Sequence, residues 1–193
     1  MTDNPRRPEA PIDPRFLDRW SPRSFLSTEV PEATLRSLFE AARWAPSCFN
    51  EQPWRFTYAR GPADRERFLG LLAEANRAWA GRAPVLAFVA AHRSFTRNGK
   101  PNRHHAFDAG AAWMSLALEA RRHDLYAHAM AGFDEAASYE VLGLDREDWV
   151  VLAAIAIGHR GPVEALPEEK RAAERPNDRL PLATVVSEGG FEV

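Results

Sequence analysis

The 193-residue sequence predicts an α+β domain with a four- or five-stranded mixed sheet flanked by helices. Three observations carry this. Segments of helical and of strand periodicity alternate along the chain. The run Pro84 to Ala91 (Pro-Val-Leu-Ala-Phe-Val-Ala-Ala) is short, continuous and apolar, as a strand buried on both faces requires. The connections are too irregular for a doubly wound sheet.

The elements follow in order. Residues 1–14 carry Pro5, Pro8, Pro11 and Pro14 and read as an extended, mobile arm. Residues 15–193 read as a single domain. Arg15 to Phe25 holds an arginine–serine motif. A helix follows, with Pro31 at its first turn and Leu35, Leu38, Phe39 and Ala42 at helical spacing, ending near Trp44. Trp54, Phe56 and Tyr58 alternate onto one face of a strand to Ala59. Phe68, Leu71, Leu72 and Ala75 predict one helix over about 63–80. After the Pro84 strand comes a basic loop, His92 to Arg103. A long Ala-rich helix over His105 to Arg122 is apolar around much of its circumference. Leu125 to Met130 is a short strand. A helix follows, with Asp134 as N-cap and Gly143 as its stop. Trp149 to Ile157 is the strongest strand signal, and Gly158 is expected to end it. Leu166 to Glu174 reads as a short exposed helix and Leu182 to Val186 as a last strand.

Composition bounds the function. Apolar residues at 45% and charged residues at 27% suit an ordinary globular chain, and a net charge of −2 gives no electrostatic case for nucleic acid. No apolar run approaches the roughly 20 residues needed to span a bilayer. One cysteine excludes an intramolecular disulfide and fits a reducing compartment, so a cytoplasmic protein is expected. There is no Gly-x-Gly-x-x-Gly after a strand and no phosphate-binding Gly-x-x-x-x-Gly-Lys-Ser/Thr loop, which disfavours a stably held dinucleotide. His104, His105 and Asp108 do not make a metal set, because adjacent histidines cannot face one site from one helix.

Two stretches carry chemistry. Between the Pro31 helix and the Trp54 strand lies Ala45-Pro46-Ser47-Cys48-Phe49-Asn50-Glu51-Gln52-Pro53. Small hydrogen-bonding side chains between prolines and tryptophans suit a flat, partly polar ligand, although a well-packed turn would also explain them. Earlier, Arg19-Trp20-Ser21-Pro22-Arg23-Ser24-Phe25 places two arginines and a serine at alternate positions. In extended chain these share one side, as an anion site needs, or else they form a solvated basic strand. Cys48 has no histidine near it in sequence and reads as a packed, serine-like residue. The loop 92–103 reads as solvated, with a cover for phosphate-bearing visitors as the sharper alternative.

Together the ordered motifs Arg-x-Ser-x-Arg-x-Phe and Ala-x-x-Ala-Pro-Ser-x-x-Asn-x-Gln-Pro-Trp resemble those of the FMN-dependent nitroreductase family. The resemblance implies a three-layer fold, and a homodimer whose Trp113 helix forms much of the interface and whose terminal strand joins the partner's sheet. It implies FMN as cofactor, with Arg19 and Ser21, flanking Trp20, on the phosphate or ribityl chain and Arg23 at the pyrimidine edge. It places Asn76 at the ring or ribityl chain, and the backbone of the Met130-Ala131-Gly132 turn at N5 and O4. Arg179, in an Arg-Leu-Pro context, would bind the phosphate. Pro46, Ser47, Cys48, Asn50 and Gln52 would come from the other subunit. NAD(P)H would be a transient substrate that reduces the flavin before a small electron-poor acceptor is reduced in turn. The same resemblance allows enoate reduction, dehalogenation, supply of reduced flavin, or FMN binding without turnover. The chain departs from the family at Asn177, where a basic residue is common, and at Ala131, where some members have glutamate.

Overall fold

The computed structural model describes residues 4–191. The first three residues of the arm and the last two of the tail lie outside them. Four strands form one sheet: β1 (Trp54–Ala59), β2 (Val85–His92), β3 (Leu125–Met130) and β4 (Trp149–His159), in the order β1-β2-β4-β3. Eight α-helices and two short 3₁₀ turns (Cys48–Asn50 and Val163–Ala165) complete the described elements: α1 (Pro14–Asp18), α2 (Glu32–Arg43), α3 (Pro62–Leu71), α4 (Glu74–Ala80), α5 (His105–Arg122), α6 (Glu135–Leu142), α7 (Glu168–Arg171) and α8 (Leu182–Val185).

The sheet is the middle of three layers. Val85, Ala87, Val89 and Ala91 of β2 point to one face, with Ile155 and Ile157 of β4, and are covered by Leu35 and Leu38 of α2 and Leu116 of α5. Leu86, Phe88 and Ala90 point to the other, against Phe68 of α3, Trp79 of α4 and Tyr139 of α6. Period-two alternation with both faces apolar is why β2 reads as an unbroken hydrophobic run. The fold class is therefore as expected.

The sheet itself is antiparallel throughout, not mixed. β2 and β3 do run the same way, joined by α5. β4 inserts between them and runs against both, so no parallel neighbours arise. No fifth strand forms among the described residues. The Leu182–Val186 run, expected as a strand, makes the short helix α8 instead, with Val186 N–H donating to the Leu182 carbonyl at 3.0 Å. A strand needs a ladder partner; with none beside it, the segment satisfies its amides locally.

Two further expectations are corrected. The single helix over 63–80 is two helices, α3 and α4. They break where Leu72 bridges Phe133, and the Ala73 N–H donates to the Gly132 carbonyl at 3.0 Å. Tertiary pairing overrides local propensity here. Gly158 does not end β4, which runs on to His159. A Cβ at Gly158 would lie 2.6 Å from Pro84 Cδ, so this glycine permits close packing and does not mark a turn. In the N-terminal arm, Arg6 reaches into the body of the fold, while Arg7 to Asp13 are exposed. Arg6 is buried and donates to the carbonyls of Leu17 (2.8 Å), Arg19 (2.9 Å) and Asn177 (2.7 Å).

Candidate functional site

The structure sorts the expected site residues into two groups at opposite edges of the sheet.

The first group gathers beside β3. From Arg19 to Ser24 the chain alternates half-buried and buried residues, so Arg19, Ser21 and Arg23 share one side, as extended geometry predicts. Trp20 and Ser24 point inward. Trp20 is a core residue, edge-on to Tyr126 with the Arg160 guanidinium over its ring, and reaches the site only at its margin. A cavity of about 660 Å³ opens here, lined by Arg19, Ser21, Arg23, His128, Arg175 and Arg179 among others. No carboxylate lines it.

This segment is held by distant residues. The buried Glu174 carboxylate accepts from the Arg23 N–H (2.9 and 3.0 Å) and the Ser24 N–H (2.9 Å). The His128 ring, between Tyr126 and Met130 on β3, bonds through Nδ1 to the Pro22 carbonyl at 2.8 Å and lies 4.6 Å from the Trp79 ring. Because a carbonyl can only accept, Nδ1 carries the proton. Burial pushes the His128 imidazole down to about 4. The Pro22 and Ser21 carbonyls oppose that, and Arg23 and Arg19 add to it.

Positive charge is concentrated in this group. Arg19 is lowered from its ordinary value by burial first, then by the charges of Arg6 and Arg179. Arg6 is lowered by burial and Arg179, with Asp178 and Asp18 partly offsetting. Neither Arg19, Arg23 nor Arg175 makes an ion pair among the described residues. Crowded, partly desolvated guanidinium groups without a carboxylate are costly unless an anion joins them. Asn177, the chain's departure from the basic residue common at this place in the resembled family, accepts through Oδ1 from Arg6 (3.1 Å) and Arg179 (3.4 Å), and so orders two cations instead of adding one.

The turn Met130-Ala131-Gly132 continues this edge. Gly132 gives its carbonyl to the Ala73 N–H and to Asn76 Nδ2, both at 3.0 Å. Its own N–H has no protein acceptor among the described residues. A Cβ there would meet Asn76 Nδ2 at 2.6 Å, which excludes any other residue without a shift. The helix break places Asn76 in the first turn of α4, one turn from Trp79. The structure thus brings Asn76 to the expected backbone turn.

The second group precedes β1. Pro46 follows the last turn of α2, and Cys48–Asn50 form a 3₁₀ turn. Ser47 Oγ accepts from the Gln52 N–H at 3.0 Å, and Gln52 Nε2 donates to the Asn50 carbonyl at 2.9 Å. The Cys48 N–H donates to Asp108 Oδ2 at 3.1 Å, and Asp108 is buried on α5. Phe49 (φ 54°), Asn50 (φ 58°) and Gln52 (φ 50°) are left-handed without being glycine. Asparagine tolerates this conformation; phenylalanine and glutamine do not do so cheaply, and such strain gathers at functional loops.

The two groups do not meet within one chain. β1 and β3 are the outer strands, so three strand spacings separate them, about 14 Å at about 4.8 Å each. Trp54 aligns with Ala91, which pairs with Val150, whereas Met130 pairs with Ala154, four residues along β4. That adds about 13 Å in the strand direction. Arg6, His128, Glu174 and Arg175 have no site role in the sequence reading, and Asp108 figures there only as a rejected metal ligand. Only Arg175 and Asp108 had a local signal, as one more cation near Arg179 and as a carboxylate on an apolar helix.

Comparison with known proteins follows the same lines. A family model described as "Nitroreductase family" matches residues 17–78 and 71–159. A Streptomyces coelicolor protein named an NADH dehydrogenase/NAD(P)H nitroreductase is 33% identical over 181 residues, covering 80% of this chain and 86% of that one. The crystal structure of an oxidoreductase containing FMN superposes with a TM-score of 0.93 at 42% identity, covering 100% of this chain and 98% of that one. A Desulfovibrio desulfuricans nitroreductase in complex with FMN gives 0.73 at 26%, covering 96% and 100%.

Proposed function

The chain belongs to the nitroreductase family, and from that premise we propose that it is an FMN-dependent NAD(P)H oxidoreductase reducing small electron-poor molecules. The carrying observation is the cavity beside β3, where Arg19, Arg23, Arg175 and Arg179 converge without a carboxylate. That donor set fits a phosphate monoester. The spare Gly132 N–H, next to Asn76, fits a heterocycle edge that accepts hydrogen bonds.

The chemistry that FMN would supply at this site is two-electron transfer between a nicotinamide and an acceptor. The chain's own groups bind and orient. Arg19, Ser21 and Arg179 would hold the phosphate and sugar chain. Arg23 would supply positive charge at the pyrimidine edge, where it favours an electron-rich ring. Gly132 would donate from the backbone, and Asn76 fixes that turn by its bond to the Gly132 carbonyl. Glu174 and His128 position the Arg19–Arg23 segment. The absence of a dinucleotide fingerprint in the sequence supports a nicotinamide that visits and leaves.

The second group would act from another copy of the chain. Supporting this, the Ser47–Gln52 loop lies at the wrong edge to serve the same protomer's cavity. Large apolar side chains also stand exposed: Trp44, Phe107, Leu180, Val185 and Val186. A two-fold dimer would cover such surface and complete two sites at once. No helix is long and apolar enough to cross a membrane among the described residues.

The test is direct. Purified protein should carry flavin absorbance. With NAD(P)H and a quinone or nitroaromatic, the kinetics should be ping-pong, with parallel double-reciprocal lines. Protein that neither carries nor takes up FMN would overturn the proposal. FMN-loaded protein without NAD(P)H turnover would favour a flavin-storing role.

A further inference from the structure

The loop that carries Ser47, Cys48 and Asn50 is joined to the basic hairpin after β2. The Thr96 N–H donates to Glu51 Oε1 at 2.7 Å. The hairpin is defined: Ser94 bridges Pro101, the Phe95 N–H donates to the Lys100 carbonyl at 2.8 Å, and Gly99 turns the tip at φ 68°. From His92 to Arg103 it holds four basic residues, Arg93, Arg97, Lys100 and Arg103, and no acidic one, on a chain whose net charge is −2.

At the junction sits a cluster that core packing does not explain. Phe49 is 71% exposed although its backbone is held left-handed. Its ring meets Phe95 at 5.9 Å and 76°. The Arg97 guanidinium lies 3.9 Å from the Phe49 ring centroid and 5.4 Å from that of Phe95. Arg97 makes no ion pair and no side-chain hydrogen bond among the described residues. Two rings therefore fix the cation in place while leaving its planar fork of donors unspent. A guanidinium so held is suited to stack against a ring and to grip an anion at its edge.

We propose that Arg97, with Phe49 and Phe95, recognises a flat aromatic group bearing negative charge on a visiting substrate. Phe49 lies between Cys48 and Asn50, so the cluster borders the residues that the proposed function places at the flavin, and the inference rests on that reading. The chemistry has two possible sources: the phosphorylated adenosine end of NADPH, or an anionic aromatic acceptor. The two carboxylates bonded at this loop are already engaged, Glu51 by the Thr96 amide and Asp108 by the Cys48 amide.

The experiment compares wild type with Arg97→Ala and Arg97→Lys, all loaded with FMN. Flavin content confirms that the exposed substitution leaves the fold intact. KM is measured for NADPH against NADH, and for para-nitrobenzoate against para-nitrobenzamide. Loss of a charge-assisted contact should raise KM for the member of each pair that carries the additional negative charge (NADPH, para-nitrobenzoate) by roughly tenfold and leave its partner within about twofold. A rise confined to NADPH assigns the site to the nucleotide; one confined to the benzoate assigns it to the acceptor. Arg97→Lys should recover only part, since lysine lacks the planar fork. Equal KM values in wild type and Arg97→Ala for both pairs would overturn the inference. If the protein proves unable to bind FMN, the proposed function falls. Equilibrium titration of wild type and Arg97→Ala with NADP⁺ and para-nitrobenzoate then decides this inference by itself: equal affinities overturn it.

Discussion

The segment Arg19–Arg23 and the loop Ser47–Gln52, the two halves of the proposed site, are held in different ways. Arg19–Arg23 is an ordinary extended chain fixed from far away: by Glu174, 151 residues from Arg23, by His128 and by Arg6. It offers charge. Ser47–Gln52 is fixed largely by itself, through Ser47 Oγ and the Gln52 side chain, with two single-bond long-range anchors, Asp108 to the Cys48 amide and Glu51 to the Thr96 amide. It offers neutral hydrogen-bonding groups on strained backbone. Binding a phosphate needs concentrated charge, which repels itself and must be clamped by the fold. Contacting a ring needs placement more than charge, and a short strained loop can supply that.

The largest expected effect breaks the first half by charge. Arg19→Glu removes a charge-assisted contact and adds repulsion toward phosphate, so FMN affinity should fall by at least about a hundredfold. Flavin retained per protomer after gel filtration checks it. Retention equal to wild type would remove the cavity from cofactor binding.

Breaking the clamp should act through stability. Glu174→Ala leaves the amides of Arg23 and Ser24 without their acceptor, at about 2–5 kcal/mol for two buried donors. Denaturant titration of the protein measures this. Added FMN should restore part of the loss, since it binds the folded segment only.

Acid should loosen the same half. The His128 imidazole is held down at about 4 against an ordinary 6.5, so its contribution is fully present above pH 6.5. It is lost as pH falls from 6.5 toward 4, up to about 3 kcal/mol at about 1.36 kcal/mol per unit. His128→Gln keeps a donor for the Pro22 carbonyl, and should flatten stability across that pH window. An unchanged acid slope would show that the ring charges without cost.

The smallest effect is expected in the second half. Asp108→Ala orphans only the Cys48 N–H, at about 1–2 kcal/mol. Thermal unfolding checks the stability. Turnover should fall more than flavin content, because the self-held loop shifts without melting the cationic cavity.

This contrast also explains what the sequence reveals. Helices and strands whose determinants are local are legible: α5 and β3 fall on their expected ranges, and Asp134 and Gly143 cap α6 as their residue types predict. The alternation of Arg19, Ser21 and Arg23 is legible because extended chain has period two. What depends on long-range pairing is not. Nothing local in Leu71-Leu72-Ala73 announces a helix break, since its cause is Phe133. Nothing in Leu182-Ala183-Thr184-Val185 says that no strand will lie beside it. Glu174 and Arg6 look like surface residues in charged segments until the fold buries them against Arg23 and Arg19. Gly158 carries the signal of a strand end, and Pro84 gives it a different purpose.

The central claim is that each site takes its cationic half from one chain and its neutral loop from another. Arg19→Glu and Asn50→Arg each lesion one half, so each homodimer should be inactive. Refolded together, a heterodimer holds one site with both lesions and one with neither. The account predicts that NAD(P)H turnover returns toward about half per mixed dimer. Mixed dimers isolated by two affinity tags that remain inactive would contradict it.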